Sequence, residues 1–288
     1  MCRGRISGNR TTSSYTSRRS CHLRCILPYA DWSADSACLI FLLRWACFSP
    51  ARKLLVSLLT KPTQPILCYV TDRRSLPLST SADAHHLLFD SVERAAAAGV
   101  DWIQLREKDY SGKEWEELVC ESLRRISRAG SVTRVFVNDR LDVALACGAG
   151  GVHLSENGIP VADACRLRDD FFSSHGQKRD FLVGVSCHSL GAALGAARAG
   201  ADYIYFSPIF YTPSKANYGP PQGLERLATV SKALAIPVIA IGGISEENAA
   251  GCFEAGAAGV AAIRLFQESP ELTQILRTLH AHRQSTSA

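Results

Sequence analysis

The sequence predicts an α/β fold, a (β/α)8 TIM barrel over residues 64–288 behind a disordered extension over residues 1–63. Three observations predict it. Eight short apolar runs alternate with stretches of helical spacing, a glycine-marked entry into a strand recurs four times, and about 220 residues hold the eight units, close to the ~250 of a typical barrel. A doubly wound sheet is the alternative arrangement of the same pieces.

The leader comes first and is set apart by charge. Residues 1–60 hold nine Lys or Arg against two Asp, and the first twenty-five are Arg-, Ser- and Thr-rich without an apolar period. The run Ala37 to Phe48 (ACLIFLLRWACF) is too short to span a bilayer and is interrupted by Arg44. An organellar targeting segment or a start placed too far upstream accounts for such a stretch, and the latter is the preferred reading.

The apolar runs follow in order: ILCYVT from Ile66, WIQLR from Trp102, RVFVN from Arg134, GVHL from Gly151, FLVGVS from Phe181, YIYFS from Tyr203, PVIAI from Pro237 and GVAAI from Gly259. Between the second and third, Trp115, Leu118, Val119, Leu123 and Ile126 recur at three- and four-residue intervals, the period of a helix with one apolar face. Strands separated by helices must run parallel. Gly99, Gly148, Gly200 and Gly256 each precede a run, where a left-handed residue ends a helix cheaply.

Outside residues 1–60, the 32 Lys and Arg and 27 Asp and Glu of the whole chain leave 23 and 25, so the barrel lacks the basic footprint of a nucleic-acid binder. Nor is there a membrane segment. Eleven cysteines form no C-x-x-C pair, and Cys68, Cys120, Cys147, Cys165, Cys187 and Cys252 sit singly among apolar residues. They read as small core residues in a reducing, cytoplasmic setting.

In a barrel of this kind chemistry gathers where strands end. The runs end in Thr71, Asp72 and Arg73; in Gln104, Arg106, Glu107 and Lys108; in Asn138 and Asp139; in His153, Ser155 and Glu156; and in Ser186 and His188. The sixth opens into the longest loop, with Thr212, Ser214 and Lys215, and the last two end in Gly242 and Gly243 and in Ile263 and Arg264. Gln104, Arg106 and Lys108 share one side of an extended backbone. A solvated charged turn is the plain reading of such a strand end, and an anion site is the functional one. Gly242 and Gly243 before a helix suit a phosphate. Asp139 is either a helix cap or a Mg²⁺ ligand.

Taken together these residues resemble the thiamine phosphate synthase and TenI family across roughly residues 66–280. The resemblance implies that the Q-L-R-E-K run, Gln104, Leu105, Arg106, Glu107 and Lys108, binds a pyrimidine diphosphate together with Asn138, and that Asp139 holds Mg²⁺. It implies that Ser186, in G-V-S-x-H, assists at the diphosphate. Thr212, Ser214 and Lys215, in P-I-F-x-T-x-S-K, and Gly243 would meet the thiazole phosphate and diphosphate. Two departures stand out: Gly158 occupies the place of a second metal carboxylate, and the family's Ile-Ser pair appears as Ile263 and Arg264.

The implied activity is condensation of 4-amino-2-methyl-5-hydroxymethylpyrimidine diphosphate with a thiazole phosphate, or its carboxylate, to thiamine phosphate and diphosphate. The implied partners are those small molecules, and self-association into a homo-oligomer stays open. Two alternatives remain. One is a TenI-like thiazole tautomerase with His188 as general acid and base; the other is a catalytically silent thiazole phosphate-binding regulator.

Overall fold

The computed structural model describes residues 64–76, 81–176, 180–212 and 220–284. The leader, residues 1–63, lies outside the described residues. Eight strands alternate with helices: β1 (Ile66–Val70), α1 (Ser81–Ala98), β2 (Trp102–Leu105), α2 (Gly112–Arg128), β3 (Arg134–Asn138), α3 (Leu141–Ala146), β4 (Gly151–Leu154) and α4 (Val161–Ser174). They continue as β5 (Leu182–Cys187), α5 (Leu190–Arg198), β6 (Tyr203–Phe206), α6 (Gly223–Ala233), β7 (Val238–Ile241), α7 (Glu246–Glu254), β8 (Gly259–Ala262), α8 (Arg264–Gln267) and α9 (Leu272–Gln284). A short 3-10 turn, Arg73–Ser75, follows β1.

All neighbouring strands pair in parallel, and β8 returns to β1 with Ile66 opposite Gly259, so the sheet closes into a TIM barrel. Each of the eight apolar runs became a strand. The runs overshoot by a residue at Thr71, Arg106, Ser207 and Ile263, which sit just beyond the strand ends.

The glycine repeat has a hydrogen-bond explanation. Gly99, Gly148, Gly200 and Gly256 all have positive φ, between 72° and 98°. The residue after each donates back five residues, as Val100 N–H does to the Ala95 carbonyl (3.2 Å) and Ala257 N–H to that of Cys252 (3.0 Å). These are Schellman stops that turn helix into strand. Helix α2 begins equally definitely, with Ser111 and Glu114 in a reciprocal capping box. Its buried face is Trp115, Leu118, Val119, Ser122 and Ile126; of the five residues the spacing predicts, Leu123 is only partly buried, packed against the core, and Ser122 is buried in addition.

Two layers result from strand alternation. Outward residues such as Ile103, Leu105, Val135 and Val137 join the helices in the main core, and inward residues Cys68, Trp102, Phe136, Tyr203 and Tyr205 fill the barrel. Gly184 is part of that filling, because a Cβ there would overlap the Tyr203 ring. The described cysteines are free thiols, but Cys120 is exposed, correcting its assignment to the core. It lies off the apolar stripe of α2.

Candidate active site

A cavity of about 510 Å³ opens where the strands end. Alternation selects its walls. Inward positions continue upward from the core as Val70 and Asp72, Gln104 and Arg106, Asn138, His153, Ser186, Ser207, Ile241 and Gly243, and Ile263, and all of them line it. Of the residues singled out in the sequence, Gln104, Arg106, Glu107, Lys108, Asn138, Ser186, Thr212, Gly243, Ile263 and Arg264 are brought together on this cavity.

Three are not. Leu105 is fully buried in the outer core, since its side chain points to the helices; its assignment to substrate is corrected to packing. His188 is off the wall because its ring turns to β6: Nδ1 is 2.7 Å from the Ser207 carbonyl oxygen, and Nε2 is 3.8 Å from Glu156 Oε2. Asp139 is one residue past the inward Asn138 and stands behind it. With φ of 58°, its Oδ2 accepts from Asn138 Nδ2 (2.8 Å) and its Oδ1 from the Ser155 N–H (2.6 Å). It does not cap α3, whose start has no side-chain cap bond. Ser214 and Lys215 lie outside the described residues.

The floor is a chain of amides. Gln104 Nε2 donates to Asn138 Oδ1 (2.8 Å), Asn138 donates on to Asp139, and the buried Gln104 Oε1 is left without a partner among the described residues. Such an atom is costly unless a ligand supplies a donor.

The cationic side needs an accounting of charge. Arg73 reaches the cavity but is already taken, by Glu107 (3.0 Å) and by both Asp109 oxygens (2.6 Å each). Arg74 also pairs with Asp109, at 3.2 Å. Those bonds, Asp109's first, push the Arg73 guanidinium up, and Arg73 holds Asp109 well below the usual carboxylate range. Arg106, Lys108 and Arg264 have no carboxylate within ion-pair reach among the described residues, and all three line the cavity. Gly158, beside Asp139, has room for little more: a Cβ there would lie 3.1 Å from Asp139 Oδ1.

Glu107 reads differently from the expectation that it meets substrate. Its carboxylate is 2% exposed and accepts from Thr71 Oγ1 (2.8 Å) and from Arg73. Thr71 Oγ1 in turn accepts the Arg106 N–H at 2.9 Å. Burial outweighs these donors and pushes the Glu107 carboxyl up. The trio ties the ends of β1 and β2 together and sets the backbone from which Arg106 projects.

Opposite, Gly242 and Gly243 both have positive φ, 101° and 68°, beneath the β6 loop. A Cβ on Gly243 would lie 2.6 Å from the Tyr211 carbonyl oxygen. Asn248 holds this turn by donating to the Gly243 carbonyl and accepting the Ser245 N–H, each at 2.9 Å. The N–H groups of Gly243 and Ile244 take no acceptor among the described residues.

His153 was noted only as a strand-end residue, yet it lines the cavity at 1% exposure. Burial, and then the charge of Arg106, push its imidazole down to about 3. Its inward parity with Ser155 and Gly151 was readable; its partners were not.

Residues 68–266 match the family described as thiamine monophosphate synthase. A thiamine-phosphate synthase of Chlorobium luteolum is 38% identical over 230 residues, 80% of this chain and 98% of that protein. One from Methanoculleus marisnigri is 40% identical over 190 residues, 66% of this chain and 85% of that one. Among solved structures, a thiamine phosphate pyrophosphorylase from Pyrococcus furiosus superposes with a TM-score of 0.62 at 28% identity, covering 78% of this chain and 99% of its own.

Proposed function

The chain belongs to the thiamine monophosphate synthase family, and from that premise we propose that it acts as a thiamine-phosphate synthase, a transferase, with its reaction in the cavity at the barrel mouth. One observation carries the assignment of the site: Arg106, Lys108 and Arg264, none paired with a carboxylate among the described residues, converge on one cavity floored by Gln104 and Asn138. The reaction joins the pyrimidine diphosphate to the thiazole phosphate or its carboxylate and releases diphosphate.

Its barrier is departure of a charged leaving group. Arg106 and Lys108 stabilise that charge as it develops, which is where fixed cations in a partly dry site are most effective. Lys215 joins them by resemblance. Gln104 and Asn138 orient the pyrimidine, whose amino group supplies the donor that Gln104 Oε1 lacks. The Gly243 and Ile244 N–H groups and Thr212 receive the thiazole phosphate, with Arg264 adding charge where the family carries a hydroxyl.

Asp139 suits a magnesium ion as a single carboxylate ligand: it is exposed, and its two hydrogen bonds leave about two of its four lone-pair sites unused. An ion held by Asp139, beside Asn138 rather than on the cavity wall, would supply further neutralisation of the diphosphate. No cluster of three metal-ligating side chains occurs among the described residues. Free thiols throughout the described barrel suit a reducing, cytoplasmic setting, and no described helix is long and apolar enough to cross a membrane.

The tautomerase alternative is disfavoured, because His188, its acid and base, stands off the cavity wall. Incubating the full chain with both substrates and Mg²⁺ tests the proposal: thiamine phosphate and diphosphate should appear together, and Lys215→Ala should abolish them while His188→Ala spares them. Binding of thiazole phosphate without product from the parent chain would overturn it in favour of the silent regulator.

A further inference from the structure

His153 stands between two hydroxyl groups inside the barrel. Its Nδ1 is 3.2 Å from the Tyr203 hydroxyl and its Nε2 is 3.0 Å from Ser186 Oγ, with the ring lying over Tyr205 at 3.9 Å between centroids. Tyr203 is fully buried, and the imidazole is the one hydrogen-bond partner of its hydroxyl among the described residues.

Counting protons decides who donates. A phenol has one O–H to place, and an imidazole that stays neutral has one N–H. Were Nδ1 to carry the proton and donate to Tyr203, the phenolic hydrogen would be sealed in the barrel with no acceptor, at the full cost of its desolvation. The opposite arrangement satisfies everything: Tyr203 O–H donates to Nδ1, and Nε2–H donates to Ser186 Oγ. One hydrogen then remains, that of the Ser186 hydroxyl, and Ser186 and His153 both line the cavity.

We infer that Tyr203 and His153 form a relay that fixes Ser186 as a hydrogen-bond donor into the cavity, committed to an anionic oxygen, with His153 acting as a positioning residue. The ligand chemistry follows from the direction of the bonds together with the cations nearby: Ser186 Oγ, accepting Nε2–H, keeps its hydrogen to donate, and Arg106 and Lys108 on the same cavity favour a negatively charged acceptor. In the synthase reading, on which the identity of the ligand rests, the acceptor is a diphosphate oxygen near Arg106, which lines the same cavity as Ser186 and His153. The relay also gives Tyr203 a role beyond filling the space left by Gly184.

The tautomer is directly observable. In the full chain labelled with ¹⁵N-histidine, the His153 resonances, assigned by their loss in His153→Gln, should show a protonated Nε2 and a bare Nδ1, and Tyr203→Phe should disturb that preference. A protonated Nδ1 in the parent chain overturns the relay, whatever the activity. Kinetics supply a second test. His153→Leu should lower turnover about tenfold, the worth of one hydrogen bond, and should weaken binding of inorganic diphosphate in parallel. His153→Gln, which keeps an N–H donor on a side chain of similar reach, should recover part of the loss. In a Ser186→Ala background His153→Leu should cost less than about twofold, because the group it positions is gone. An equal loss in both backgrounds makes His153 a packing residue and overturns the proposal. Should the parent chain form no thiamine phosphate, the synthase reading falls by itself, while the tautomer and the diphosphate titration still decide the relay.

Discussion

Thr71→Val is the most informative single change in this molecule. It is nearly isosteric, and Thr71 is fully buried, so the change removes a hydroxyl rather than volume. What disappears is one oxygen that makes two bonds: it accepts the Arg106 N–H at 2.9 Å and donates to Glu107 at 2.8 Å. An orphaned buried N–H costs about 1–3 kcal/mol, and a hydrogen bond to a carboxylate is worth about 1.5–3 kcal/mol. Because both losses come from one atom and the chain relaxes around it, roughly 3 kcal/mol is the expected destabilisation. Urea unfolding followed by circular dichroism reads it as a lower midpoint with unchanged slope. Catalysis should suffer as well, since the Arg106 backbone is no longer held; a loss of about tenfold or more in kcat/KM for the diphosphate substrate is expected. Thr71→Ser keeps the oxygen and should retain most of both properties. If Thr71→Val stays within about 0.5 kcal/mol of the parent at full activity, the Thr71, Glu107 and Arg106 linkage does not position the site, and the reasoning given for Glu107 fails with it.

Two further outcomes follow from the site. His153 is held neutral when folded, its pKa pushed down to about 3, whereas in the unfolded chain it binds a proton near the ordinary value of 6.5. The stability it contributes is therefore present above that value and lost as pH falls; about 2 kcal/mol should go between pH 6.5 and 5, above the range of most carboxylates. His153→Gln should flatten that part of a denaturation profile, and an unchanged slope would contradict the burial argument. Gly158→Asp puts a second carboxylate beside Asp139, where its Cβ lies 3.1 Å from Oδ1. It should melt lower than the parent in EDTA and gain more from Mg²⁺ than the parent does; an equal response to Mg²⁺ in both chains would remove Asp139 from the ion's surroundings.

The assignment of residues by strand parity extends further than motif reading. Gln104, Asn138 and Ser186 could be placed inside the barrel because they fall in step with Trp102, Phe136 and Gly184, and Leu105 and Asp139 fall out of step. The same rule would have brought His153 forward. Glu107 and His188 could not have been read this way, since both lie past the strand ends, where a turn and a hydrogen bond override alternation.

Local pattern alone determined the eight strands, the helical face of α2 and the four glycine stops, because apolar period and backbone freedom are properties of adjacent residues. Pairing between strands decided the ion pairs and the hydrogen-bond partners. Arg73 is neutralised by carboxylates 34 and 36 positions away, whereas Arg106, Lys108 and Arg264 on the same cavity have no carboxylate in ion-pair reach among the described residues; His153 meets Ser186 and Tyr203 across 33 and 50 positions. Which cation is spent depends on contacts made when the ends of β1 and β2 come together, and no spacing along the chain encodes them.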